Sequence, residues 1–111
     1  MSSHSPSCAK DFVFTTGVFA YPGMAAWRFA SVPQPISTEI KTHFGAKRKG
    51  WGSIPVQVTV GTTSWETSIF PDKKSQTYLL PMKLAIRKKE KIMDGDTVKI
   101  ALHIQTELMI D

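Results

Sequence analysis

The sequence contains a single cysteine, Cys8, in 111 residues. One thiol can neither form an intrachain disulfide nor assemble a cysteine-based zinc site. No apolar run approaches the roughly 20 residues that a membrane helix needs. The N-terminus also lacks the basic and then apolar segments of a signal peptide. We therefore expect a cytoplasmic protein that has no contact with membranes and folds without cross-links.

Residues that commonly perform catalysis or hold metals are scarce. His4, His43 and His103 have no partner at metal-ligand spacing. Ser68 does not stand in a Gly-x-Ser-x-Gly turn, and the glycines near Gly45 do not form a phosphate loop. We expect no metal, no cofactor and no catalytic residue. An enzyme whose residues converge only in the fold is the third and least favoured hypothesis.

The size and composition fit one domain. With 41% hydrophobic residues, the chain has enough apolar side chains to build one core. Its first residues are rich in serine, and we expect residues 1–10 to be disordered. Residues 11–107 then form a single β-barrel domain.

The chain is basic, with a net charge of +5. Most of its cations fall in three short stretches, a distribution that favours an anionic partner. The clustered residues are Lys47, Arg48, Lys49, Lys73, Lys74, Lys83, Arg87, Lys88, Lys89 and Lys91.

The first third of the chain predicts a β-hairpin followed by a helix. Segments 12–21 and 25–32 are rich in Phe, Val and Trp and are separated by a Pro-Gly turn. Apolar residues then recur every four positions over 36–44, and Gly45 is placed to end that helix.

The remaining two thirds alternate between strands and turns. Apolar residues at every second position predict strands at 56–60 and 98–104. Turn residues and prolines delimit two further predicted strands at 64–70 and 77–80. Pro81 suits the first turn of a second, short helix that carries Met82 on its apolar side. The Asp-Gly-Asp sequence at 94–96 predicts a turn whose side chains bond local backbone N–H groups.

This pattern favours a mainly β protein. About six or seven strands and two short helices, with turn signals roughly every 8 to 12 residues, are typical of a small barrel. A parallel βαβ sheet would need longer helices between its strands.

Several segments together carry a family resemblance. They are residues 27–29, 32–33, 65–71, 78–87 and 95–98. Taken in order, these segments resemble the domain-of-unknown-function family nineteen-oh-five over roughly residues 12–104. The resemblance implies a double-split β-barrel and a family with no established activity.

The last third of the chain has a looser similarity. Its strand ending in proline, helix, Gly-Asp and apolar strand, residues 80–98, look like the core segment of AbrB-type transition-state regulators. In those proteins the segment builds the fold, while other loops of a dimer contact DNA. The similarity therefore supports the architecture and not a function.

The first candidate site pairs two cations with hydroxyl and aromatic side chains. Lys83 and Arg87 lie one helical turn apart, so they share a helix face that can bind a carboxylate or phosphate. The alternative is a solvated face on which Arg87 pairs with Glu90. The preceding strands would add Trp65, Thr67, Ser68 and Tyr78 to this site.

The second candidate site is a basic loop beside an aromatic residue. Lys47, Arg48 and Lys49 precede Trp51, and cations next to a ring are what single-stranded nucleic acid binding needs. Alternatively, Trp51 plugs the barrel end and the cations form a solvated loop tip.

The preferred partner is therefore an anionic or nucleotide-like small molecule, with nucleic acid second. Exposed strand edges in a split barrel are compatible with a monomer or a homodimer.

Overall fold

A computed structural model describes residues 10–23, 27–45 and 52–105. These residues form a closed antiparallel barrel with strand order β1-β2-β5-β4-β3-β6. The expected mainly β barrel is thereby confirmed. Its elements are β1 (Asp11–Ala20), β2 (Arg28–Ser31), α1 (Gln34–Phe44), β3 (Ile54–Val60), β4 (Thr63–Asp72), β5 (Thr77–Pro81), α2 (Leu84–Lys89) and β6 (Thr97–Ile104).

Two long strands join the two halves of the barrel. The first part of β1 pairs with β6, and its end pairs with β2. In the same way, most of β4 pairs with β3, and its last residues pair with β5. Because β1 and β4 each change partner along their length, two small sheets close into one barrel.

The alternation seen in the sequence places one face of each strand inside. In β6, Val98, Ile100, Leu102 and Ile104 point into the core, and the valines of β3 do the same. A one-residue shift in register would turn this apolar set toward solvent. The hydrophobic pattern therefore determines the register of the central strands.

Helix α1 packs against the barrel through Ile40 and Phe44, which are both buried. It begins at Gln34, two residues earlier than predicted, because Pro35 fits the first helical turn, where an N–H is not needed. The buried Ser37 hydroxyl donates to the Val32 carbonyl at 2.9 Å. The same oxygen accepts the Tyr78 N–H at 3.0 Å, which connects α1 to β5.

The prediction that the second helix starts at Pro81 was wrong. Pro81 is the last residue of β5 and lies opposite Phe29 of β2. The strand pairing continues one step further, since the Met82 N–H donates to the Arg28 carbonyl at 2.8 Å. Met82 is buried in the barrel core, so α2 begins only at Leu84. Burial of this side chain outweighs the local preference of proline for a helix start.

The expected pair between Arg87 and Glu90 is also absent from the described residues. Arg87 instead donates from Nε to the Met82 carbonyl at 2.9 Å. Glu90 turns to the β3–β4 hairpin, where it accepts a hydrogen bond from the Thr63 hydroxyl at 2.5 Å. The C-terminal end of α2 is therefore attached to a turn far away in sequence.

The turn at residues 94–96 is confirmed, with one difference. The Asp96 carboxylate accepts the Met93 N–H at 2.8 Å, as a local turn contact should. Asp94 instead forms an ion pair with Arg28 Nε at 2.6 Å. This ion pair connects the turn to the start of β2.

Candidate functional site

A cavity lies between α1 and the β4–β5 hairpin. Its volume is about 550 Å³, within the range of small-molecule sites. Its wall exposes more apolar than polar surface, but the lining includes two lysines, Lys41 and Lys73.

The helical wall of the cavity presents one face of α1. Thr38, Lys41 and Thr42 line it and recur at three- and four-residue spacing, so their side chains project to the same side. All three residues are exposed. Ser37 is also in this wall, but its hydroxyl already bonds Val32 and Tyr78. Lys41 is thus the cation that the helix offers to a ligand.

The hairpin wall is organised by Asp72. Its carboxylate accepts the Ser75 N–H at 3.1 Å, the Ser75 hydroxyl at 2.8 Å and the Tyr21 hydroxyl at 3.1 Å. The Gln76 side-chain amide donates to the Lys73 carbonyl at 3.1 Å and further closes the turn. Both oxygens of Asp72 accept hydrogen bonds from neutral donors, which stabilise its negative charge without cancelling it. Lys73 is exposed at the cavity wall.

These contacts change the pKa values of two groups. The Ser75 hydroxyl is the largest influence and lowers the pKa of Asp72, assisted by the Ser75 N–H, the Tyr21 hydroxyl and Lys74, while partial burial opposes them. The hydrogen bond to Asp72, followed by the charge of that carboxylate, raises the pKa of Tyr21. Asp72 is therefore more firmly ionised in the folded protein than in the unfolded chain.

This pKa shift predicts a pH-dependent contribution to stability. Because the folded pKa lies below the unfolded value of about 3.9, the stabilisation by Asp72 is fully present above that value. It is lost as the pH falls through the folded pKa. We expect Asp72→Asn to lower the melting temperature at pH 6 to 7, with a difference from the unmodified protein that shrinks below about pH 4. Thermal unfolding from about pH 2.5 to 7 measures this, with exposed Glu39→Gln as control. A constant difference at every pH would contradict the role of this carboxylate.

The structure separates the residues of the first predicted site. Tyr78 is buried and lines the cavity beside α1. Lys83 and Arg87 line a second cleft of about 100 Å³ near the other end of β5. Trp65, Thr67 and Ser68 line neither space and pair along β3 with Val58, Val56 and Pro55. The two cations line one cleft, although Lys83 precedes α2 rather than lying on its face, and none of the four predicted strand residues joins them there.

The second predicted site, Lys47, Arg48, Lys49 and Trp51, lies outside the described residues. Gly45 and Gly52, the described residues that flank it in sequence, both line the cavity beside α1.

Two features of these sites were missed by sequence reasoning. The aromatic residue next to Lys83 and Arg87 is Trp27, not Trp65. A signal for it existed, because aromatic residues at 19, 21, 27 and 29 alternate on the two arms of the predicted hairpin. The polar face of α1 was also visible, but nothing local indicated that the β4–β5 hairpin packs opposite it.

Neither helix of the described chain is long and apolar enough to cross a membrane. Residues 10–23, 27–45 and 52–105 also contain no group of three His, Cys, Asp or Glu side chains arranged to hold a metal ion.

The fold and the cavity define this molecule as a small closed-barrel domain with a cleft between one helix and a β-hairpin. The family model described as Domain of unknown function (DUF1905) matches residues 14–102, and the chain belongs to that family. A search of curated proteins finds no match. The looser similarity to AbrB-type regulators is not confirmed.

Proposed function

We propose that this domain is a binding module for a small anionic ligand, held in the cavity between α1 and the β4–β5 hairpin. The observation that carries the proposal is the pair of exposed lysines, Lys41 and Lys73, which approach one cavity from two separate elements. Thr38, Thr42 and Thr77 also line the cavity, although the Thr77 hydroxyl shares a hydrogen bond with that of Ser75. Cations beside hydroxyl donors are suited to carboxylate or phosphate oxygens.

The size of the cavity limits the ligand class. A volume of about 550 Å³ accommodates a molecule as large as a mononucleotide. The wall also includes the aromatic residue Tyr78 and the apolar surface of Pro71, so the ligand can combine an anionic group with a less polar part. A nucleotide or a phosphorylated or carboxylated metabolite has this character.

The proposal predicts ligand-dependent stabilisation. Anions present at about 100 times their dissociation constant should stabilise the native state by about 2.7 kcal/mol, which raises the melting temperature by about 10 °C. We expect at least one of four anions, inorganic phosphate, AMP, GMP and citrate, to have this effect at both 50 and 300 mM NaCl. Lys41→Ala and Lys73→Ala should each weaken binding about tenfold or more.

The matched control is Lys99→Ala, which removes the same charge from an exposed position on β6 that lines neither cavity. Lys99→Ala should retain the stabilisation. An equal loss in all three variants would mean that only the net charge matters. Stabilisation lost in Lys83→Ala and Arg87→Ala but retained in Lys41→Ala would instead place the ligand at the predicted helix-face site.

Nucleic-acid binding through Lys47, Arg48, Lys49 and Trp51 is the second hypothesis. It predicts binding that weakens steeply with salt and is lost when the three cations are neutralised. Oligonucleotide binding that persists in Lys47→Ala/Arg48→Ala/Lys49→Ala would remove this loop as the site.

A further inference from the structure

The outer face of the barrel carries a second apolar cluster, separate from the core. Residues paired directly across antiparallel strands project to the same face of a sheet. Phe19 pairs with Phe29, and Phe29 in turn pairs with Pro81. Neither Phe29 nor Phe19 belongs to the core cluster inside the barrel. Side chains at every second position extend this outer face to Tyr21 and Trp27.

The rings of this face form a connected aromatic surface. Trp27 stacks on Phe29, with ring centroids 6.0 Å apart and an interplanar angle of 14°. Phe29 meets Tyr21 in an edge-on contact with centroids 5.5 Å apart. Although Phe29 is buried, Trp27 is still 51% exposed. The indole is therefore supported on one side by another ring and accessible to solvent.

Cations surround this exposed ring. Trp27 lines the cleft of about 100 Å³ together with Arg28, Lys83, Leu84 and Arg87. Residues 83–91 carry five basic side chains and a single acidic one, Glu90. Glu90 is directed to Thr63 on the β3–β4 hairpin, and the Asp94 carboxylate pairs with Arg28, so Lys83 and Arg87 are the cations that this cleft offers to a ligand.

A second pair of cations stands near the other end of the aromatic surface. Tyr21 donates its hydroxyl hydrogen bond to Asp72, and the next two residues in sequence are the exposed Lys73 and Lys74. Lys73 also lines the cavity beside α1, and the Asp72 carboxylate is an anion, so the cleft beside Trp27 carries the larger positive charge. This arrangement complements a polyanion that also carries flat rings.

We propose that single-stranded nucleic acid binds across this outer face, with a base stacked on Trp27 and adjacent phosphates contacting Lys83 and Arg87. Stacking on aromatic side chains together with cationic contacts to the backbone is sufficient for recognition of single strands with little sequence preference. The inference goes beyond the proposed function, because it assigns a different surface and a polymeric partner. It does not depend on the cavity beside α1.

The test is fluorescence anisotropy of labelled dT12 and rU12 at 50 and 300 mM NaCl. Trp27→Ala should weaken binding about tenfold or more, whereas Trp27→Phe should stay within about threefold because a ring is retained. Lys83→Ala/Arg87→Ala should weaken binding and make the slope of log affinity against log salt shallower by about 1.4, or about 0.7 per phosphate contact. Lys10→Ala/Lys99→Ala is the control, since it removes equal charge from exposed positions outside the cleft.

Specific outcomes would overturn the proposal. Trp27→Ala and Trp27→Phe with unchanged affinity would show that no base stacks there, provided that both variants melt cooperatively. Equal losses of affinity in the two double variants would show that binding depends only on the net charge of the protein. Absence of oligonucleotide binding, with binding instead to vesicles of phosphatidylserine and phosphatidylcholine, would identify the face as a membrane-contacting surface.

Discussion

Replacing Ser37 by alanine is expected to destabilise the domain by about 2 to 4 kcal/mol. The Ser37 side chain is buried, and its hydroxyl connects the Val32 carbonyl to the Tyr78 N–H. Alanine would leave one acceptor and one donor of the backbone without this partner in the interior. Each unsatisfied buried group costs about 1 to 3 kcal/mol.

The neighbouring residue provides the control for this prediction. Thr38→Ala alters an exposed hydroxyl on the same helix and should change the free energy of unfolding by no more than about 0.5 kcal/mol. Denaturant unfolding with a common m-value measures both variants. If Ser37→Ala costs less than about 1 kcal/mol, then the Val32 and Tyr78 backbone groups find other partners, and Ser37 is not what holds α1 to β5.

Replacing Gly61 by alanine is expected to cost about 2 to 3 kcal/mol. Gly61 has φ +59°, a conformation that non-glycine residues adopt at a cost of about 1 to 2 kcal/mol. A Cβ at this position would also lie 2.9 Å from the Glu90 carboxylate carbon and closer still to an oxygen. Alanine would therefore displace Glu90 from Thr63 as well as strain the turn.

Gly95 allows these two contributions to be separated. It also has a positive φ, +86°, but a Cβ there would meet no atom within 4 Å. Gly95→Ala should therefore show only the backbone cost and be less destabilising than Gly61→Ala. In the double variant Gly61→Ala/Glu90→Ala, the loss should be smaller than the sum of the two single losses. Strict additivity would contradict the proposed steric contact.

If both predictions hold, the two helices depend on different kinds of anchor. Helix α1 is held by a buried hydroxyl between two backbone groups, and it forms one wall of the cavity. The end of α2 is held by Glu90 at the β3–β4 turn. Loss of the Ser37 contacts should therefore alter ligand binding at Lys41. Loss of the Glu90 contact should instead alter the position of the cations beside Trp27.

Much of the fold could be predicted because strand periodicity is local. The alternation of Val98, Ile100, Leu102 and Ile104 was sufficient to predict β6 and its inner face. The start of α2 could not be predicted in this way. Pro81 suits a helix start in isolation, but β5 continues through it, because Met82 is buried in a core assembled from distant strands.

In the candidate sites, too, features that depend on nearby residues could be predicted and features that depend on distant residues could not. Lys83 and Arg87 were predicted to lie together because they are four residues apart, and they do line one cleft, although Lys83 precedes α2. Their aromatic neighbour was misassigned to Trp65, since residues 27 and 87 become adjacent only when β2 pairs with β5. The cavity itself was not predicted, because its walls come from separate parts of the chain.

The amino-acid sequence by itself determined the mainly β class, the basic clusters, most strands and the family resemblance, since each depends on residues close together in the chain or in a recognisable order. Only the tertiary structure decided that β1 and β4 each serve both sheets. It also decided that Ser37 meets Tyr78, that Glu90 meets Thr63 and that Trp27 lies beside Lys83. The physical reason is that barrel closure brings distant segments together, and the burial and hydrogen bonding gained there override local preferences.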